Sequence, residues 1–567
     1  QMLRPRDIEK IEYHDAPSGK YAKDKLVVNF ITKQYRYGGY VQADGLQAIG
    51  YDHGDYNVAT NYVKGNNSYT VFAGANYSHV DGTETWNNEN YQFPQSLFDR
   101  ESYSKNSYRN HQEYMQFRYQ NQKGKRYWVG KFTLVNLSTP RNASSGFAKE
   151  STETEIFSNI RKKSLSPKID LNANLPLSKN QTLILGVHGK YSANSYHRLY
   201  QEQPFEAMTD EDENALSFQL SAIYNYFSQK HSLSVELFHY HDVWNADYSG
   251  NCELWQHLWK GESLAFFSYN FQASRCLSLK TRIGLDWLQY HLHGDNSFSQ
   301  LSPRINTNVQ YQLNKGMLLW SFNFVNSNHG MDVINRAMIQ VNSHMMEKGM
   351  PELKKSHDIN TYLYYMGRFN RLSVSAIGQF RYNHHPVTDD YYLDEANGKI
   401  VKTYSNGGNA QYYSAILALQ YKLCKFANLS GDIRYNHAEV KTTWSKHNNN
   451  LTGNLGLNMF MGDFALKPYL HFGKKSLDEA ALVINKTPIG YGMSCSYSRG
   501  NLYVELQAVS PFKKQEKRYW LDLPIYSYSK SIKDQTASQY ASIKVAYSFD
   551  FGRKTQKVEK DVNKNIN

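Results

Sequence analysis

From about residue 37 to residue 551 the chain keeps one rhythm, and that rhythm limits what it can fold into. Stretches in which apolar and polar residues alternate are joined in pairs by very short polar turns, and longer polar connections separate the pairs. The short turns are Lys64-Gly-Asn-Asn67, Asn121 to Lys125, Ser178-Lys-Asn180, Ser228-Gln-Lys230, Asn314-Lys-Gly316, Phe369-Asn-Arg371, Met461-Gly-Asp463 and Ser498-Arg-Gly500. Two more fall near Arg275-Cys276 and Leu423-Cys424. The long connections lie at about 80–110, 138–165, 195–213, 242–262, 327–356, 384–410 and 509–538.

Three stretches show the alternation plainly. Leu502-Tyr-Val-Glu-Leu-Gln-Ala508 is one; Ala541, Ile543, Val545, Tyr547, Phe549 and Phe551 form the second. In the third, Leu372, Val374, Ala376, Phe380 and Tyr382 alternate with Ser373, Ser375, Gln379 and Arg381. Successive strand residues point to opposite faces, so each stretch has one greasy and one wet face. A soluble sandwich buries the greasy face; a membrane barrel turns it to lipid and keeps a polar lumen. The strict short–long beat favours the barrel, with tight periplasmic turns at one rim and long extracellular loops at the other. The expected fold is all-β: a transmembrane antiparallel β-barrel of roughly 22 strands, with about 10 turns, about 11 loops and both ends on the periplasmic side. That is the size of plugged transporters, whereas porins have fewer strands. Each crossing needs about 9–11 residues, and segments of roughly 10–13 are expected.

Composition agrees. Of 567 residues, 46 are Tyr and 27 are Phe. Tyr suits the headgroup layer, where its ring is buried and its hydroxyl stays wet, although it is also a good strand former. No Pro- or Gly-rich linker divides the chain, and no window approaches the about 18 apolar residues of a helical span. The net charge of +13 is scattered through turns and inner-face positions, with no helix-borne basic patch of the kind that binds nucleic acid.

Three segments resemble one family in the order that family would have them. Leu3-Arg-Pro-Arg-Asp-Ile-Glu-Lys-Ile-Glu-Tyr-His-Asp-Ala-Pro-Ser-Gly-Lys-Tyr21 followed by Val27-Val-Asn-Phe-Ile-Thr-Lys33 resembles the end of the plug domain of TonB-dependent outer-membrane receptors. Tyr13, Ala22 and Phe30 depart from that pattern. Gly349-Met-Pro-Glu-Leu-Lys-Lys-Ser356, with Pro303-Arg-Ile-Asn306 before it, resembles the approach to a mid-barrel strand. Ala541-Ser-Ile-Lys-Val-Ala-Tyr-Ser-Phe-Asp-Phe-Gly-Arg553 resembles the last strand of the Bacteroidota-type outer-membrane β-barrel members. The resemblance implies the end of a plug at 1–33, a barrel at 34–552 and a polar periplasmic tail at 553–567. It implies import of a nutrient (an iron chelate, cobalamin, oligosaccharide or peptide) bound by loops and plug, with no cofactor. The alternative is a surface receptor or large pore without energised transport. The partners it implies are outer-membrane lipid and lipopolysaccharide, the TonB complex, the nutrient and a surface lipoprotein. Gln1 falls inside the plug-like motif, so a signal peptide, a TonB box and the body of a plug are expected upstream.

Candidate ligand contacts lie in the long connections. Trp244, Tyr248, Trp255 and Trp259, with His257, crowd one of them, and exposed Trp clusters need something to pack on. His384-His385 opens another, followed by Asp389-Asp390, while His241, His257 and His329 lie elsewhere. Converging groups of this kind could hold a metal, but 20 His in one chain place some together by chance; no metal site is assigned. Met331, Met338, Met345, Met346 and Met350 share a connection in which Val333 to Met346 has partly helical spacing, best explained as a short helix packed by its methionines. Cys252, Cys276, Cys424 and Cys495 match no metal spacing and no pairing is deducible; free or buried thiols are expected. There is no His-Glu-x-x-His, Walker loop or nucleophile elbow, and barrel enzymes are smaller than this one, so a non-enzyme is expected.

Overall fold

The computed structural model describes residues 8–14, 27–32, 37–295, 297–327, 330–512, 515–534 and 538–552. Residues 37 to 552 wind into a closed antiparallel barrel of 22 strands. Four strands are each broken at a bend near the outer rim: Phe464–His471 continues as Lys474–Asp478, Val483–Thr487 as Gly490–Arg499, Leu502–Val509 as Gln515–Asp522 and Tyr526–Asp534 as Tyr540–Gly552. The first strand, Tyr37–Ile49, closes the ring against the last, with Gly38 opposite Gly552 and Ile49 opposite Ala541. All ten short turns fall where the sequence rhythm puts them. Separately, Ile8–His14 pairs antiparallel with Val27–Thr32.

The two faces of the wall are inverted relative to a soluble protein. Outward positions carry exposed apolar side chains all the way round: Met115 and Phe117, Ile169 and Leu171, Ile283 and Leu285, Leu417 and Leu419, Val545 and Phe549. Inward positions on the same face of the ladder are polar and packed: Asn61, Thr70, Gln116, Ser166, Ser302 and Ser321 are each at most 2 % exposed. Some are bonded across the ladder, as where Asn61 donates to Thr70 Oγ1 at 2.7 Å and Gln116 to Thr133 Oγ1 at 2.9 Å. Closure leaves no unpaired edge and puts the backbone groups in the ladder, which is what crossing a bilayer demands.

The long connections turn out differently from the expectation. Those at 80–110, 138–165, 195–213 and 242–262 are not irregular loops; the ladder runs on through them. Asn67–Phe93 and Ser96–Lys123 are 27 and 28 residues long, and Arg126–Lys149 and Glu153–Ser178 are 24 and 26. At about 3.3 Å per residue and about 10 residues for the crossing, these strands continue roughly 50 Å past the bilayer. The expected strand length of roughly 10–13 residues holds for Tyr37–Ile49, Asp52–Lys64, Gly316–Ser327 and Leu372–His384, and most of the ring is longer. The first hairpin, by contrast, turns at Gly50 and Tyr51, and above its tip Asn67–Phe93 pairs with Tyr526–Asp534, with Tyr91 opposite Tyr526, so the wall stays closed there.

Two connections do leave the wall. Insertion 328–355 and insertion 385–408 together build a small four-stranded sheet from Met338–Gln340, Met345–Lys348, Lys399–Ser405 and Thr388–Asp394. Met345–Glu347 runs parallel to Ile400–Lys402, joining the two insertions. The helix expected from Val333 to Met346 shrinks to one turn, Met331–Ile334; beyond it the chain is extended, because its methionines pack as strand residues.

Candidate functional site: the capped mouth

The small sheet spans the mouth of the barrel and is fastened to opposite walls. At one end Met331, Ile334, Ala337 and Leu353 pack on Leu258, Leu288 and Leu292, all buried. At the other, Met345, Tyr391 and Ile400 pack on Tyr91, Val440, Leu482 and Tyr526. Side-chain hydrogen bonds add a third support, where Arg198 donates through Nη1 to Gln340 O and through Nη2 to Val341 O, both at 2.6 Å.

Arg100 lies at the centre of the second anchor, with its side chain 4 % exposed. Its Nη1 donates to Glu89 Oε2 at 3.1 Å, and its Nη2 to Glu202 Oε1 at 2.7 Å and Tyr200 OH at 3.0 Å. Nε stands 3.6 Å from Glu150 Oε1, an ion pair but too long for a hydrogen bond. Three consecutive cap residues plug into this network: Asn342 donates to Tyr91 OH at 2.9 Å, Ser343 to Glu202 Oε2 at 3.3 Å, and His344 Nε2 meets Glu150 Oε1 at 2.8 Å. Glu89 Oε1 accepts from the hydroxyls of Tyr91 at 3.0 Å and Tyr526 at 2.7 Å. Burial works against the charge on Arg100, but Tyr200, Glu89 and Glu202 outweigh it and hold the guanidinium above its ordinary pKa. Burial, then the charge of Glu89, pushes the phenols of Tyr91 and Tyr526 well up.

A second charged group belongs to the cap itself. Lys402 Nζ lies 3.3 Å from both Glu347 Oε1 and Asp389 Oδ2. Burial lowers Lys402, but Asp389 and Glu347 more than offset it; burial raises Asp389 against the pull of Lys402. Glu479, at a wall tip and paired with Arg381, is likewise raised by burial. At the foot of insertion 328–355, Lys355 Nζ sits 3.0 Å from Asp286 Oδ2 with both side chains fully buried, beside Arg304 and Glu262 on the inner wall. A small cleft opens there, lined by Lys260, Tyr290, Phe298 and Lys355.

The aromatic residues singled out in the sequence do not form one cluster. They lie on paired strands, His231–Gly250 and Leu254–Gln272, and strand parity splits them. Trp244 and Tyr248 face inward, beneath the cap: Lys260 Nζ sits 5.2 Å over the Trp244 ring, and Tyr248 OH donates to Glu211 Oε1 at 2.9 Å. Trp255 and Trp259 face outward, with Trp255 against His293 and Trp259 donating to His241 Nε2 at 3.1 Å. The rings of His384 and His385 lie 3.9 Å apart, tilted by 39°, but His385 Nδ1 is bonded to Asn406 O at 2.9 Å. Asp389 goes to Lys402 and Asp390 to Trp444 Nε1, so the carboxylates do not join the histidines. His257 bonds Asn245 Oδ1 at 2.6 Å; His329 lies outside the described residues. The four cysteines are free, with Cys276 and Cys424 in short turns. Sequence reasoning missed Arg100, Glu89 and Glu202 altogether.

A closed 22-strand barrel, apolar outside and polar within, is an outer-membrane barrel of the large, transporter size class. No family model and no curated protein sequence matches the chain. Solved structures do match in fold. The chain is similar to the copper transporter OprC at TM-score 0.65 and 10% identity, over 93% of this chain and 83% of that one. It is similar to the siderophore receptor PirA from Pseudomonas aeruginosa at TM-score 0.59 and 12% identity, over 92% and 82%. The FrpB iron transporter from Neisseria meningitidis matches at TM-score 0.60 and 9% identity, over 97% and 89%.

Proposed function

We propose that this chain is the barrel of a TonB-dependent importer that takes a scarce nutrient across the outer membrane, and that it is not an enzyme. The observation that carries the reading is the sheet folded across the mouth and fastened to opposite walls. A sheet fastened on both sides obstructs a freely open pore, and it suits a receptor that opens in response to its ligand. The plug-like motif at 1–33, whose described parts pair as a hairpin, supports it, as does the likeness to the copper, siderophore and iron proteins. On this reading 1–33 is the end of a plug, 553–567 a periplasmic tail, and the coupling complex is reached through plug-side sequence. The Bacteroidota-type subgroup rests on the last-strand motif alone. We put a metal or metal chelate first as cargo, although the fold itself does not choose among metal chelates, cobalamin, oligosaccharides and peptides. Trp244 and Tyr248 are proposed to support the ligand side of the cap, His384-His385 its margin, and Trp255 and Trp259 to sit against lipid headgroups or a surface lipoprotein.

Cells carrying the protein should accumulate a labelled metal chelate only while the inner membrane is energised and the coupling complex is present. Accumulation that survives collapse of the proton-motive force would sink the energised reading and leave the surface-receptor or pore alternative.

A further inference from the structure

Strands Asp52–Lys64, Asn67–Phe93 and Ser96–Lys123 lie side by side, and on their outward face Asp52, His79 and His111 form a row. His79 Nδ1 is 2.8 Å from Asp52 Oδ2. A carboxylate only accepts, so the proton of a neutral His79 sits on Nδ1 and its Nε2 keeps a bare lone pair. That Nε2 stands 3.4 Å from Nε2 of His111, with the ring planes at 70°. The spacing is longer than a good N–H···N hydrogen bond. It is the separation of two nitrogens bound at about 2.0–2.1 Å to one tetrahedral ion, which comes to about 3.3 Å. The carboxylate behind His79 is the usual support for a metal-bound imidazole, since it fixes both tautomer and ring orientation. The ladder is also broken here: register shifts at Asp81/Thr83 and Arg109/His111 fall in the two histidine strands, and bulges re-aim side chains.

We propose that His79 and His111 form a two-imidazole site for a divalent cation of the zinc or copper type, with Asp52 as the group that positions His79. Among the described residues no set of three or more His, Cys, Asp or Glu is placed to hold an ion. The pair therefore supplies half a tetrahedral shell, and the other two positions belong to water or to an incoming donor. His79 keeps 28% of its side chain exposed, so an ion can reach it from outside the barrel. Arg109, opposite His79 in the ladder and exposed, is the charge that opposes a cation there. The site is separate from the cap and does not rest on the transport reading.

The test uses the whole chain in detergent, with Zn2+ titrated calorimetrically and Cu2+ followed by electron paramagnetic resonance. Because the chain has 20 His, the signal is the difference between wild type and a His79→Ala/His111→Ala double variant. Wild type should bind one more equivalent than the double variant. Its Cu2+ spectrum should show two imidazole nitrogens where His111→Ala shows one. Asp52→Asn should weaken binding about 10–100-fold, and Arg109→Gln should tighten it. Equal stoichiometry in wild type and double variant, or an unchanged Cu2+ spectrum in His111→Ala, overturns the proposal. Should the alanine variants fold poorly, Asp52→Asn and Arg109→Gln, both at exposed positions, test the same site: unchanged affinity in both would also overturn it.

Discussion

Replacing Arg100 by Gln should unfasten one end of the cap without unfolding the barrel. Arg100 is 4 % exposed and is hydrogen-bonded to Glu89 and Glu202, and the cap residues Asn342 and Ser343 reach the same network through Tyr91 and Glu202. Removing one member of a buried ion pair costs about 3–5 kcal/mol, because the partner charges stay buried without compensation. Here two carboxylates are stranded, so the full range applies. The ladder beneath is unchanged, since Arg100 contributes only its side chain to the network. If that cost falls on the closed state of the cap, amide exchange in 338–348 and 399–405 should speed up by roughly a hundredfold to a few thousandfold, at about 1.4 kcal/mol per factor of ten. Exchange mass spectrometry on the detergent-solubilised chain reads this directly, with the strands around Gln116 and Thr133 as the internal control. Combining Arg100→Met with Glu89→Gln and Glu202→Gln should restore most of the protection, because no charge is then left unpaired. Unchanged exchange in the cap of Arg100→Gln, or equal acceleration throughout the barrel, would refute the reasoning.

Acidity should tighten the cap. Asp389 and Glu479 have folded pKa values above 3.8 and 4.5 because they are buried, so the folded cap holds protons that the open one releases. The stabilisation they give is complete below those ordinary values and is lost as pH rises through the raised ones. Cap amides should therefore exchange more slowly, after correction for intrinsic rates, near pH 5 than near pH 8, and Asp389→Asn should flatten the difference. In the wall, Leu285, 51% exposed and outward, should tolerate Arg poorly, by about 2–4 kcal/mol in urea titrations of folding into vesicles, whereas Arg at the inward Gln310 should cost far less. A soluble sandwich would give the opposite order. Ile400→Pro removes the amide that donates to His344 O at 2.9 Å and a fully buried side chain, at roughly 3 kcal/mol or more. It should loosen 388–405 while leaving the turn at 331–334 protected, which limited proteolysis would reveal.

The barrel was legible because both of its constraints act locally. A two-residue turn needs a backbone that few residues adopt, and Gly65 and Gly500, both at φ 61°, supply it. A bilayer crossing needs alternation, and Leu372 to Tyr382 shows it. Above the membrane neither constraint applies. Ser96 to Ser107 is ladder throughout, yet Ser-Leu-Phe-Asp-Arg-Glu-Ser-Tyr-Ser-Lys-Asn-Ser shows no clean alternation, since water, not lipid, covers its outer face. Hence such stretches read as loops. The Arg100 network was invisible for a different reason: its partners stand 11 and 102 residues away, and only the pairing register brings them together. The split of the tryptophans was recoverable in principle. Once 231–272 is a hairpin, residues 244 and 248 must face one way and 255 and 259 the other.

The two ends of the cap differ in what can undo them. Met331, Ile334 and Leu353 are held by apolar contact with Leu288 and Leu292, and the buried Lys355–Asp286 pair at their foot does not involve Arg100. The far end adds to its apolar contacts one guanidinium shared among Glu89, Glu150 and Glu202, so a single substitution at Arg100 leaves those carboxylates without their cation. Opening should therefore begin at residues 342–344 and leave 331–337 as the fixed end. Insertion 385–408 should follow, because Met345–Glu347 carries it through the parallel pairing with Ile400–Lys402. Equal exchange rates at 331–337 and 342–348 in Arg100→Gln would mean the cap leaves as a rigid lid instead.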